Sequence, residues 1–236
     1  MNKFFVSATL FASLFFGNNA QAQYDDMEVS YGVKAGYGFS TLRTPRRADV
    51  TKVDGMWTFN FTAYMDIPVT EGFSIQPGLA VNGKGATINV LPKNEFTNTE
   101  YKSNPVYLEL PVNFVGKIAL GDIFDKCNII FGGGPYVSYG IAGKQQVNGK
   151  LLGSNFSSED NIIFSNDDQP VNSTNFYGQF KKYDFGLNAI AGIEYHWATF
   201  NINYSYGAVN VNPGANLTPT DRMKNRVLSA SIGVRF

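Results

Sequence analysis

Along most of the chain, apolar and polar residues alternate one by one, the period of a strand whose two faces meet different surroundings. The pattern is cleanest at the end. Over 227–236, Leu228, Ala230, Ile232, Val234 and Phe236 fall on one face, with Val227, Ser229, Ser231, Gly233 and Arg235 on the other. A soluble edge strand ending in an exposed aromatic would invite pairing with other chains. A strand that closes a barrel in a membrane has no free edge.

Seven more segments carry the same alternation: 31–41, 56–66, 73–83, 105–118, 128–142, 183–195 and 199–208. In the sixth, Tyr183, Phe185, Leu187, Ala189, Ala191, Ile193 and Tyr195 share a face. Aromatics at both ends and small aliphatics between them match two interfacial girdles around an apolar band. Pro77 is the weakest feature of the third segment, because proline cannot donate to a ladder. The polar stretches 42–55, 86–104, 143–180 and 209–224 read as long irregular loops, and they alternate with short turns.

An even number of strands, each about ten residues long, with long loops at one end and short turns at the other, is the outer-membrane plan. The expected fold is therefore all-β, an eight-stranded antiparallel up-and-down transmembrane β-barrel. Its long loops would lie outside the cell and both termini in the periplasm. A lipocalin-like soluble barrel also has eight up-and-down strands, but it turns its apolar face inward. Here the polar face is mostly Gly, Asn and Ser with isolated charges, and the apolar face ends in aromatics, which favours lipid on the outside. Trp57, Tyr183, Tyr195, Trp197 and Phe236 are the expected lipid-interface aromatics.

The first 22 residues read as a cleavable signal peptide. Lys3 supplies the positive start, 4–16 the apolar core, and Ala20-Gln21-Ala22 a small-x-small cleavage site. The barrel domain then covers 23–236. No cysteine follows the apolar core, which argues against a lipoprotein. Phe and Tyr are abundant, at 20 and 13 residues, while charged residues make up only 16%. The formal net charge is zero, so there is no electrostatic case for nucleic acid. Cys127 stands alone and makes neither an internal disulfide nor a zinc cluster.

The expected lumen-facing charges are Lys34, Asp66, Lys84, Glu109, Lys117, Asp184, Glu194 and Arg235. An eight-stranded barrel is just wide enough to be filled by side chains, so buried charges must pair. By height along the wall, Lys34 should meet Asp66, Lys84 should meet Glu109, and Glu194 should approach Arg235. Such a network serves as a structural plug, as a gated path for small ions, or as an acid–base pair. His196, the single histidine, falls at the end of a strand next to Trp197, with no adjacent serine or carboxylate to make a catalytic set. Asp160, Asp167 and Asp168 in the longest loop match no calcium-loop spacing. No catalytic, cofactor or metal residues are assigned.

Gly32-Val-Lys-Ala-Gly36, Gly72-Phe-Ser-Ile-Gln-Pro77, Lys84-Gly85 and Tyr107-Leu-Glu-Leu-Pro111 follow one another in the order of the PorT-like outer-membrane barrel family, common in Bacteroidetes, which the chain resembles. Gly132-Gly-Gly-Pro-Tyr136, Asp184-Phe-Gly-Leu187 and Gly192-Ile-Glu-Tyr195 extend the resemblance over nearly the whole chain after the leader. It implies an outer-membrane barrel, and the family's namesake is implicated in protein secretion. The terminal strand ending in Phe236 also resembles those read by the barrel-assembly machinery. The expected function is that of a non-enzymatic envelope protein surrounded by outer-membrane lipid, contacting an envelope protein partner through its outer loops or periplasmic rim. The alternative is a narrow porin-like channel.

Overall fold

A computed structural model describes residues 28–43, 50–90, 99–121, 127–151, 154–166, 178–213 and 222–236. The expected signal peptide, Asp167 and Asp168 lie outside the described residues. The strands are β1 (Ser30–Arg43), β2 (Val50–Asp54), β3 (Met56–Thr70), β4 (Phe73–Gly83), β5 (Ala86–Val90), β6 (Thr99–Ala119) and β7 (Cys127–Leu151). They continue with β8 (Ser154–Asn161), β9 (Ile163–Phe164), β10 (Gln179–Phe180), β11 (Tyr183–Tyr195), β12 (Ala198–Gly207) and β13 (Lys224–Arg235).

Eight of them close a ring in the order β1, β3, β4, β6, β7, β11, β12, β13 and back to β1. Every contact in the ring is antiparallel. The fold is the expected eight-stranded all-β barrel. At the seam, Tyr31 N donates to Phe236 O and Phe236 N donates to Tyr31 O, both at 2.8 Å. The chain thus uses its last residue to pair its first strand. Closure matters because hydrocarbon offers no partner to a free backbone N–H or C=O.

The alternation sorts side chains as the sequence implies. Trp57 is 76% exposed and Phe236 73%, and Tyr183, Tyr195 and Trp197 also stand outward and exposed. Tyr64, Tyr107 and Tyr136 are buried in the lumen. Pro77 does not end its strand. The β3–β4 ladder passes from Tyr64–Gly78 to Ile67–Ile75, skipping the two rungs beside the proline. On the other side β4–β6 skips from Pro77–Val112 to Ala80–Glu109, next to Pro111. The remaining rungs hold β4 in place.

The expectation of irregular long loops needs correction. The 42–55 stretch contains β2, and 86–104 contains β5 and the start of β6. The 143–180 stretch continues β7 and carries β8, β9 and β10. At about 3.3 Å per residue, the 25 residues of β7 run roughly 80 Å, far beyond the ~30 Å hydrocarbon layer even when tilted. Beyond the barrel wall, β2, β5, β6, β7 and β8 form a continuous sheet.

In this extension the polarity of the wall inverts. Within the band, Ile75, Leu79 and Val81 alternate with the buried Ser74, Gln76 and Ala80 of β4. After Gly85, it is Ala86 and Ile88 that are buried, joining Leu42, Ile162, Phe180, Val211 and Met223 in an apolar cluster. Val53, Tyr101 and Phe164 pack against it. The opposite face of the extension bears two polar rungs. One runs Lys52, Asn89, Glu100, Asn148, Ser157, and the other Asp54, Thr87, Lys102, Gln146, Glu159. The Lys144 ammonium, 2.5 Å from Glu159 Oε1, and the Gln146 amide hold the Glu159 carboxyl below the ordinary carboxylate range. The strands here read as polar loops in sequence because their apolar positions face inward and their charges face water.

Gly85 marks the inversion. Its φ is +120°, and a Cβ there would collide with Ser103 O. Its carbonyl accepts a hydrogen bond from buried Ser40 Oγ at 2.9 Å. Glycine is needed for both the bend and the close approach of β6.

Ala191 is exposed in the middle of the outer face of β11, whereas Asn188 is turned inward. Ala191→Arg should cost roughly 2–4 kcal/mol, as for a cation at the lipid midplane, and more than Asn188→Arg. Urea unfolding of protein refolded into lipid vesicles measures both. The reverse order would place the apolar face inside.

Candidate functional site

The lumen is filled at three levels, named here from the long-loop end towards the end that carries the termini. The apolar cluster of β5, β9, β10 and their neighbours forms the first. Phe164 links it downward, its ring edge-on to Tyr107 at 5.6 Å between centroids.

The second level centres on Lys84, which is 1% exposed. Its Nζ lies 2.9 Å from Glu109 Oε2 and 3.0 Å from Asp184 Oδ2. The ammonium also sits over the rings of Tyr136 and Tyr107, 4.4 and 5.1 Å from their centroids. Asp184 Oδ2 accepts further hydrogen bonds from Asn225 Nδ2 at 2.8 Å and Tyr136 OH at 3.3 Å. The register explains the convergence. Asp184 and Glu109 both lie opposite Ser138, on the two sides of β7, and Lys84 lies just past the end of β4 on the neighbouring side of β6. One cation thus balances two buried carboxylates, with aromatic faces and amide donors supplying the remaining stabilisation.

The third level joins Asp66, Lys117, Glu194 and Arg235. Asp66 pairs with Lys117 and with Arg235 Nη1, the latter at 3.2 Å, and accepts a hydrogen bond from Gln76 Nε2 at 3.2 Å. Glu194 Oε2 lies 3.5 Å from Arg235 and 3.7 Å from Lys117. Four side chains from β3, β6, β11 and β13 therefore tie the barrel together across its lumen.

The structure brings together Lys84 with Glu109 and Glu194 with Arg235. It does not bring Lys34 to Asp66, and this expectation is corrected. Lys34 faces Thr62 across the ladder, whereas Asp66 faces Ser30. The four-residue offset is about 13 Å along the strand, beyond a lysine's reach. Lys34 instead places its Nζ over the Tyr64 ring, 5.2 Å from the centroid. Gly32 makes room for that ring, since a Cβ there would strike it. Lys34 is 7% exposed and has no carboxylate at ion-pair distance among the described residues.

Between the two charged levels is a cavity of about 50 Å³, lined by Lys34, Thr58, Asn60, Asn113, Asn188 and Ser229 among others. Thr58 Oγ1, Asn60 Nδ2, Asn113 Oδ1 and Asn188 Oδ1 have no protein hydrogen-bond partner there. Mixed donors and acceptors in a space of this size suit a few water molecules. The apolar cluster, the extra role of Lys117 and this cavity were not read from the sequence. The signal for the cluster was present in the alternation of Ala86, Ile88 and Val90 with Thr87 and Asn89.

The remaining candidates stay apart. His196 occupies the turn between β11 and β12 with φ +54°, exposed, its ring edge-on to Tyr195 at 4.6 Å. Cys127 is buried at the start of β7. Asp160 accepts a hydrogen bond from Ser158 Oγ at 3.4 Å on the exposed β8. Among the described residues no set of His, Cys, Asp and Glu converges as a metal site.

Residues 19–211 match the family model described as outer membrane protein beta-barrel domain. Among solved structures, the chain is similar to Ail, the attachment invasion locus protein of Yersinia pestis, at 13% identity and a TM-score of 0.39, covering 89% of this chain and 100% of that one. Neisserial surface protein A is similar at 13% identity and a TM-score of 0.40, with 89% and 99% covered. OprG from Pseudomonas aeruginosa follows at 13% and 0.35, with 89% and 97% covered. No curated protein matches the chain.

Removing one partner of a buried ion pair leaves an uncompensated charge and costs about 3–5 kcal/mol, whereas replacing all partners by neutral groups costs far less. Lys84→Met should therefore destabilise the barrel more than the triple change Lys84→Met, Glu109→Gln, Asp184→Asn. Unfolding in urea, followed by loss of heat-modifiable mobility, measures the ranking. A triple variant weaker than the single would mean that the charges themselves stabilise the fold.

Proposed function

The chain belongs to the outer membrane protein beta-barrel domain family and is an outer-membrane β-barrel protein, and from that premise we propose that it is a sealed, non-enzymatic barrel that acts by binding at its ends. The observation that carries this reading is the Lys84, Glu109 and Asp184 cluster, buried to 1% exposure or less in mid-lumen. A solute moving along the axis has to separate these charges, and leaving any of them unpaired is costly. It also has to displace the apolar cluster above them and the second ion network below. These obstacles weigh against the narrow-channel alternative.

With the lumen filled, the surfaces left for function are the two ends. The long-loop end carries a five-stranded polar sheet, which offers a broad and rigid contact surface. The other end is made of short turns, the chain termini, His196 and the interfacial Trp197. We assign the sheet to the cell exterior and the termini to the periplasm, in line with the short-turn and long-loop plan of such barrels. The first 22 residues direct export and are removed, and the barrel-assembly machinery reads the terminal strand. The order of the motifs from Gly32 to Tyr195 supports a PorT-like role, in which an envelope protein partner, such as a component of a secretion system, binds one of these ends.

Two measurements test the reading. Purified protein in planar bilayers should show no steady ohmic conductance, and Glu109→Ala should lower stability without opening a current. Stable channels in the wild type would overturn the sealed-barrel reading. For orientation, in a Cys127→Ser background, Ser157→Cys should react with a membrane-impermeant maleimide on intact cells, while Glu71→Cys should react only after the outer membrane is opened. The opposite pattern would place the sheet in the periplasm.

A further inference from the structure

The outer wall carries a group of cations that the lumen network does not involve. Arg43 of β1 lies directly opposite Lys224 of β13, and Arg226 lies opposite Thr41 one rung nearer the band. Cross-strand partners share a face, and two like charges directly opposite each other repel. The next same-face pair towards the band is Phe39 and Leu228, both exposed on the apolar outer wall. The cations therefore stand on the face that meets lipid, immediately past its apolar band. Arg222, also exposed, precedes Lys224 by two residues and extends the run.

Among the described residues, no acid neutralises this group, since no carboxylate lies at ion-pair distance from Arg43, Lys224 or Arg226. Arg226, only 7% exposed, is packed down against the wall itself. Its Nη1 donates to Gly207 O and Asn225 O, both at 2.7 Å, and its guanidinium carbon sits 3.6 Å from the Tyr206 ring centroid. Below it, Tyr204, Tyr206, Phe39, Leu228 and Trp57 present an exposed apolar and aromatic surface.

We propose that Arg43 and Lys224 bind the phosphate of a phosphorylated membrane lipid whose acyl chains lie along Phe39, Leu228 and Tyr204. Cations opposed across a ladder need an anion, and the medium beside this wall supplies one in lipid headgroups. The arrangement of cations above an aromatic apolar face is that of an amphiphile. A free anion would use the cations and leave the apolar surface without a role. The inference rests on the barrel's outer face meeting lipid and not on which end faces outward.

The test uses the purified full-length barrel in neutral detergent micelles. Its unfolding temperature is measured with a diphosphorylated glycolipid, with the same glycolipid after dephosphorylation, and with inorganic phosphate at equal concentration. The phosphorylated lipid should raise the midpoint on the order of 3 °C or more, as ligand binding to the folded state alone does. The dephosphorylated lipid and inorganic phosphate should leave it within error. In Arg43→Gln, Lys224→Gln protein the rise should vanish, and in Lys224→Gln alone it should shrink. An equal rise with dephosphorylated lipid, or a full rise with inorganic phosphate, overturns the proposal, as does a full rise in the double variant. If the double variant does not fold, the Lys224→Gln protein and the wild-type comparison of the two lipids decide. A conducting barrel would sink the sealed-lumen reading and leave this result untouched.

Discussion

Closure of the backbone ladder is the constraint on which the rest depends. Each strand of the ring has a partner on both sides, and the seam is made by Tyr31 with Phe236. Because hydrocarbon cannot satisfy a free peptide group, the ring has to close completely within the membrane. Here the ring closes with eight strands, and that number makes the lumen narrow enough to be filled by side chains. A filled lumen then dictates that any charge pointing inward must find a partner. The Lys84 cluster and the Asp66–Glu194 network answer that requirement at two heights, from strands far apart in sequence.

The same wall serves two solvents, and its polarity changes where the solvent changes. In the band, apolar side chains face lipid and polar ones face the lumen. Beyond it, water lies outside, and the interior is sealed by Leu42, Ala86, Ile88, Phe180 and Val211. The switch takes place at Gly85 on one strand. Between β6 and β7 it coincides with a shift in register, where Val106 pairs with Ala142 but Tyr107 pairs with Gly140 and leaves Ile141 as the extra residue. In β7 the extra residue moves subsequent side chains to the opposite face, so Ser138 is buried before it and Gln145 after it, whereas β6 keeps its parity and changes only its residue types.

The cations on the outer wall belong to the boundary between these regimes. Among the described residues, every carboxylate inside the barrel and all cations there but Lys34 are arranged in ion pairs. Outside, Arg43 and Lys224 face each other with no acid among the described residues at ion-pair distance. Charges are tolerated unpaired where headgroups and water reach them, and the position just past the aromatic residues is such a place. The contrast separates charges that hold the barrel together from charges available to its surroundings.

The barrel itself was legible in the sequence. In the band, lipid and lumen impose opposite demands on successive residues of every strand, so the alternation appears locally and repeatedly, from Tyr31 through Phe236. The identity of the inward charges followed from the same parity. What the sequence did not determine was which charges meet. That depends on the stagger between strands, which puts Thr62 rather than Asp66 beside Lys34 and brings Lys117 to Asp66 instead. Nor could parity alone show which face of Ala86–Val90 is interior, because burial there is decided by the Ile162, Phe180 and Met223 side chains that the fold brings over it. Local pattern records the solvent on each side of a strand, whereas register and long-range packing, which only the closed structure specifies, decide the contacts.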